Sequence, residues 1–292
     1  MLLFVFDVAL KATLWNFSKI LGIVCDERLF FSAQLSHFGC RMSRKLNKLL
    51  QNWPINAVAS QRWLNRQSVD RRLADKYVRS GWLTRLGHGA YVRAGDTVDW
   101  PGGLTAIQTQ LKLDVHPGGI TAFELRGYGH YIALGGRQVT LFGAPDTKLP
   151  AWFTGHTWSQ PIRLVTTRSL SQGDNMTSTI SLNGVDVEVA TLERAAFEMM
   201  YLVPKKQSYE EAMQVMESLT VLRPKLVQHL LETCTSVKTK RLVMHAAERL
   251  KLPWISRIDL AQVDFGSGPR TIHQGGRLDK KFNLILATQD SP

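Results

Sequence analysis

The segment Ser68-Val-Asp-Arg-Arg-Leu-Ala-Asp-Lys-Tyr-Val-Arg79 constrains the fold more than any other part of the chain. The Ser68 hydroxyl is suited to accept from the free amides of a first helical turn, and Asp70 places an anion where the helix dipole favours one. Val69, Leu73 and Tyr77 recur every four residues and predict an apolar stripe. Arg72, Lys76 and Arg79 fall at i, i+4 and i+7, which puts three cations on a separate face about a quarter turn away. Gly81, tolerant of positive φ, closes the helix. Upstream, Ser60-Gln-Arg-Trp-Leu-Asn-Arg-Gln67 reads as a shorter helix, again with a Ser cap. Downstream, Trp82–Leu86 and Ala90–Arg93 flank the three-residue connection Gly87-His-Gly89, a hairpin signal. A lone basic helix is usually a solvated face. Helix, tight turn, basic helix and basic hairpin in this order point instead to a winged helix-turn-helix. In such a module the second helix enters the major groove and hairpin cations reach flanking phosphates.

Composition agrees. With 36 Lys and Arg against 24 Asp and Glu, the formal charge of +12 favours a polyanionic partner. The 292 residues leave room for two domains. Cys25, Cys40 and Cys234 offer neither close pairing nor zinc spacing, which predicts a reducing, cytoplasmic setting without structural disulfides. No His-x-x-x-His or Cys-x-x-Cys is present, and no metal or other cofactor is expected.

Residues 1–41 are apolar and aromatic, but Asp7, Lys11 and Lys19 interrupt every run, so no stretch approaches the roughly 20 residues of a membrane span. Met42-Ser-Arg-Lys45 resembles a natural start, and the expectation is that translation begins there, with residues 1–41 an upstream extension. A native peptide spanning Cys40–Lys45 in mass spectrometry would contradict it. Leu46, Leu49, Leu50 and Trp53 predict a helix ended by Pro54, the third helix of a DNA-binding domain over residues 42–95. Ala94–Gly103, rich in Gly, Asp and Pro, reads as the linker to a mixed α/β domain over residues 96–292. There, Gly103–Leu113 and Ile120–Tyr131 predict helices, and Gln138–Phe142 and Pro161–Thr166 strands. Asn183-Gly184 joins two strands as the preferred type I′ pair. Four amphipathic helices follow, marked by Leu192–Met200, the capping box Ser208-x-x-Glu211, Pro224 at an N1 position, and Leu242–Leu250 ended by Pro253. Gly-rich turns and closing strands finish the chain. The fold class predicted is α+β: a winged helix-turn-helix, then a mixed α/β domain carrying a helical bundle.

Catalytic signatures are missing. Gly266-Ser-Gly268 could open a nucleotidyltransferase motif, but the Asp-x-Asp pair that should follow is replaced by Pro269-Arg270. Asp186-x-Glu188 lacks the following lysine of a metal nuclease. No P-loop or nucleophile elbow occurs. An enzyme is not expected.

Ser80-Gly-Trp-Leu-Thr-Arg-Leu-Gly-His-Gly-Ala-Tyr91 resembles the helix-to-wing junction of the AbiEi antitoxins of type IV toxin–antitoxin systems. The similarity continues through Thr121–Gly129, Leu149–Phe153, Thr191–Ala196, Asp264–Arg270 and Gly275–Phe282, so it covers nearly the whole chain from Met42. The resemblance implies repression of the protein's own promoter at inverted repeats, and neutralisation of a nucleotidyltransferase toxin without a stable complex. Inverted repeats require two copies on the DNA, by dimerisation or cooperative loading. The family's DNA-contact role carries over to Arg71, Arg72, Lys76, Arg79, Arg85, His88 and Arg93. From the residues themselves, Gln61, Arg62, Asp70, Arg71 and Arg72 are candidates for base edges or helix register, with Ser68 at the helix start. The rival reading is a stand-alone winged-helix transcription factor whose second domain senses a ligand or pairs subunits.

Overall fold

A computed structural model describes residues 44–128, 138–170 and 176–287. Residues 1–41 with Cys25 and Cys40, and the Gly129–Tyr131 end of the second predicted helix with His130, lie outside the described residues. The protein is α+β, and it divides into two compact units between Trp53 and Pro54. In the first, residues 44–52 form helix α1, in which Leu46 and Leu49 are buried, as is Trp53 just beyond it.

The second unit begins with β1 (Ala59–Ser60), α2 (Gln61–Arg66), α3 (Arg71–Arg79), β2 (Leu83–Gly87) and β3 (Ala90–Arg93). The hairpin expected from the glycines is present, and β1 adds to it as an outer strand, giving the antiparallel order β1-β3-β2. A two-residue strand carries too little pattern to be read from sequence. The turn is also tighter than predicted, because Gly87 belongs to β2 and a bulge between Arg85 and Gly87 absorbs the extra residue.

The predicted linker is a correction. Trp100, Pro101, Gly102 and Gly103 are buried in α4 (Trp100–Thr105), which runs into a π-helical turn over Ala106–Gln110. Proline at N2 suits a helix start, and the glycines permit close packing: a Cβ on Gly102 would sit 1.9 Å from the Asn56 carbonyl oxygen. The Val58 amide donates to the Gly102 carbonyl. Buried Gln110 accepts from the Ser60 amide and hydroxyl at 2.8 Å each, and its own amide donates to the Val58 carbonyl. Gln110→Ala should therefore strand three buried polar groups. The expected loss is about 2–3 kcal/mol in a urea melt, and a loss within experimental error would refute this role.

Next come β4 (Val115–Pro117), α5 (Ile120–Leu125), β5 (Val139–Gly143), α6 (Ala151–Thr154) and β6 (Ile162–Thr166). Their sheet has the order β4-β5-β6, antiparallel then parallel, so β6 is an edge. The hairpin β7 (Thr177–Leu182) and β8 (Val185–Ala190) turns at Asn183 and Gly184, both at positive φ as a type I′ turn requires. Four helices follow: α7 (Leu192–Leu202), α8 (Tyr209–Glu217), α9 (Pro224–Thr233) and α10 (Val237–Arg249). The second and third start where Ser208 and Pro224 predict, and hydroxyl caps not singled out from the sequence open the first and the last. Thr191, Ser208 and Ser236 accept from first-turn amides, and Pro224 takes N1. The small strands β9 (Arg270–Thr271), β10 (Arg277–Asp279) and β11 (Leu284–Leu286) form a last sheet with β11 central.

Helix α7 is the hub of this unit and packs against α5, α8, α9, α10 and β8. Ala195, Ala196, Phe197, Met199 and Met200 are fully buried, so the methionines are core. Burial on all sides also encloses charged groups, and each has a partner. Glu193 accepts from Arg223 Nη2 at 2.8 Å. Burial alone would raise its carboxyl, but the Arg223 hydrogen bonds hold it below its usual value. Glu198 accepts from Arg194 Nε at 2.8 Å and from the Gly119 amide at 3.1 Å, and lies 2.7 Å from His116 Nε2. Buried Arg241 donates to the carbonyls of Phe265, Gly266 and Gly268. The Gly266-Ser-Gly268 turn thus presents its carbonyls inward to a guanidinium, the opposite of a phosphate-gripping loop.

Candidate nucleic-acid interface

Helix α3 starts two residues later than its sequence suggests. Asp70 is the N-cap, and its Oδ1 accepts from the Leu73 amide at 2.8 Å. Ser68 stands in the connecting turn at φ +59°, which corrects its assignment as the cap. Both residues suit a cap. The one chosen is fixed by Val69, whose fully buried side chain anchors the turn while its amide donates to the Leu64 carbonyl. Gln61 closes the same turn from α2, donating to Asn65 Oδ1 at 2.8 Å and to the Val69 carbonyl at 3.3 Å. That amide ties the start of α2 to the turn before α3.

Within α3 the buried residues are Ala74 and Tyr77, while Leu73 is only partly covered. The buried face is thereby rotated relative to the predicted stripe. At about 100° per residue, Arg72, Lys76 and Arg79 point about 160° away from it, nearly opposite rather than a quarter turn off. Arg71, Arg72, Lys76 and Arg79 are all exposed. Burial raises the Tyr77 phenol above its usual pKa, so the residue anchoring this helix stays neutral at physiological pH. Ser80 caps the C-terminus and Gly81 follows at φ +76°, as expected.

The hairpin cations are placed differently. Arg85 forms an ion pair with Asp75 of α3, and its guanidinium lies 5.8 Å from the Tyr91 ring centroid. Arg93 Nε lies 3.7 Å from Asp96, which also accepts from the Asn56 amide at 3.0 Å. His88 is exposed at the turn. The turn itself is seated on the protein: the Gly89 carbonyl accepts from the Gln61 amide, and a Cβ on Gly87 would come within 2.8 Å of Trp152 Cβ in α6. On α2, Arg62 and Arg66 are exposed one turn apart. Arg66 was not among the residues expected from the sequence, although it stands at i+4 from Arg62. Nor were Asp75, the acid inside the basic helix, and Trp82, which is 52% exposed where α3 ends.

Asp75 is the one acidic side chain within α3. Asp75→Asn should remove a repelling charge and release Arg85. Affinity for duplex DNA is expected to rise several-fold at low salt, measured by fluorescence anisotropy; weaker binding would show that the pair positions Arg85 for contact.

Among the described residues, no three His, Cys, Asp or Glu side chains converge as a metal site requires, and no helix is long and apolar enough to cross a membrane. The fold is similar to that of the RV2827C protein from Mycobacterium tuberculosis, with a TM-score of 0.56 at 13% identity, covering 83% of this chain and 89% of that one. No curated protein matches the chain. Two family models match in tandem. Residues 42–134 match the N-terminal domain of the AbiEi antitoxin transcriptional regulators, and residues 136–287 match the transcriptional regulator, AbiEi antitoxin, of type IV toxin–antitoxin systems. With both halves of the model pair matched in order, the chain belongs to the AbiEi family of type IV antitoxin transcriptional regulators.

Proposed function

We propose that this protein represses its own operon by placing α3 in the major groove, and that it neutralises a nucleotidyltransferase toxin through the part of the chain after residue 95. The observation that carries the first half is the exposed row Arg72, Lys76 and Arg79, nearly opposite the buried Ala74 and Tyr77, with exposed Arg71 at its flank. Support for a winged helix-turn-helix comes from α2, the tight turn, α3 and the sheet order β1-β3-β2. In this reading α3 supplies a base contact through Arg72 and phosphate contacts through Arg71 and Lys76. Arg62 and His88 add phosphate contacts, and Arg85 and Arg93 act through their ion pairs as much as through DNA. Two copies occupy inverted repeats in the promoter, and the protein works in the cytoplasm with its DNA.

The toxin half rests on family membership. Residues 54–93 share a core with α4 and its π-helical turn through Val58, Ser60 and Gln110. Tests of separable functions are therefore made on the full chain. Arg71, Arg72 and Lys76 changed together to alanine should abolish mobility shift of the upstream DNA while still rescuing growth against the neighbouring toxin gene. Loss of rescue together with DNA binding would reject two separate functions. Absence of any toxin gene next door would favour a stand-alone regulator.

A further inference from the structure

A second cationic feature lies in the same unit, and the DNA-binding surface does not use it. Between the edge strand β6, the end of α7 and the start of α10 there is a pocket of about 630 Å³. Lys205, Lys206 and Lys238 line it, and among the described residues no carboxylate does. Lys205 and Lys206 are exposed. Lys238 is partly buried, its ammonium donating to the carbonyls of Tyr201, at 2.8 Å, and Val203, and lying 5.7 Å from the Tyr201 ring centroid. Those two bonds use two of three ammonium hydrogens. Burial, and then the neighbouring Lys205, pull the Lys238 ammonium below its usual pKa.

The chemistry of the walls narrows the ligand. Leu164, Leu202 and Pro204 supply an apolar surface, and Thr166 and Thr271 add hydroxyls. Lysines are point charges suited to phosphate oxygens, whereas planar carboxylates favour the guanidinium fork. Three of them match several negative charges rather than one. The volume falls within the roughly 300–1,000 Å³ of small-molecule sites and far exceeds what a single phosphate fills.

We propose that this pocket binds a free nucleoside triphosphate, its phosphates on Lys205, Lys206 and Lys238 and its base against the Leu164, Leu202 and Pro204 wall. The site is independent of α3 and of the antitoxin reading.

Calorimetric titration of the full chain tests it with adenosine triphosphate, adenosine and a short single-stranded oligonucleotide. Adenosine triphosphate should bind and adenosine should not. K205Q/K206Q, which removes two exposed cations, should weaken binding at least tenfold. The charge-matched surface variant K225Q/K280Q and the α3 variant R71A/R72A/K76A should stay within about twofold of the parent. Circular dichroism melts confirm that each variant folds. Absence of triphosphate binding, equal affinity in K205Q/K206Q and K225Q/K280Q, or lysine-dependent binding of the oligonucleotide alone would each overturn the proposal.

Discussion

Glu198→Ala is expected to lower the unfolding free energy by about 3–5 kcal/mol, the largest loss from any single substitution argued for this chain. Its carboxylate is 0% exposed at the centre of α7, with Arg194 and His116 nearly as buried. Truncation removes the acceptor and leaves the Arg194 guanidinium and the Gly119 amide inside the protein without it. The cost arises less from the lost attraction than from a charge that can no longer reach water. Local packing agrees that the site is specified around the carboxylate: a Cβ on Gly118 would lie 2.0 Å from Glu198 Oε2, so a glycine is required there. Glu198→Gln keeps the volume and one acceptor and should lose roughly half as much. A urea melt in which Glu198→Ala falls by less than about 1 kcal/mol would show that this cluster relaxes freely.

The second large effect is on binding. Changing Arg71, Arg72 and Lys76 to alanine should reduce affinity for promoter DNA at least a hundredfold while leaving the melt within about 0.5 kcal/mol of the parent. Stability is spared because all three residues are exposed and the helix is held from its other side by Ala74 and Tyr77. Affinity is not spared, since phosphate neutralisation supplies much of it and a bidentate guanine contact adds about 1–3 kcal/mol. Arg72→Ala alone should relax sequence preference at one position rather than weaken all sequences equally.

Much of the fold was legible because its signals are local. The type I′ pair Asn183-Gly184, the capping hydroxyls of Ser60 and Ser208, and Gly81 beyond α3 each fix one backbone feature through one side chain, and each stands where it was read. What was missed depends on distant partners. Trp100-Pro-Gly-Gly103 looks like a linker by composition, yet it is a buried helix in which Asn56 and Val58 meet Gly102 while Phe153 and Trp158 lie against Gly103. Ser68 and Asp70 are equally good caps in isolation, and only the burial of Val69 decides between them. The α3 cations were readable from spacing. The pairing of Arg85 with Asp75 and the seating of Gly87 on Trp152 join residues ten and sixty-five positions apart, and no periodicity announces either.

Duplex DNA is expected on the outer face of α3. The deciding measurement is the salt dependence of promoter binding, by anisotropy, for the parent chain and for R71A/R72A/K76A. If Arg71 and Lys76 neutralise phosphates while Arg72 reads a base edge, the log–log slope should be shallower in the variant by about two, near one unit per phosphate contact removed. Superimposable slopes in the two proteins would place the DNA on some other surface and contradict the account.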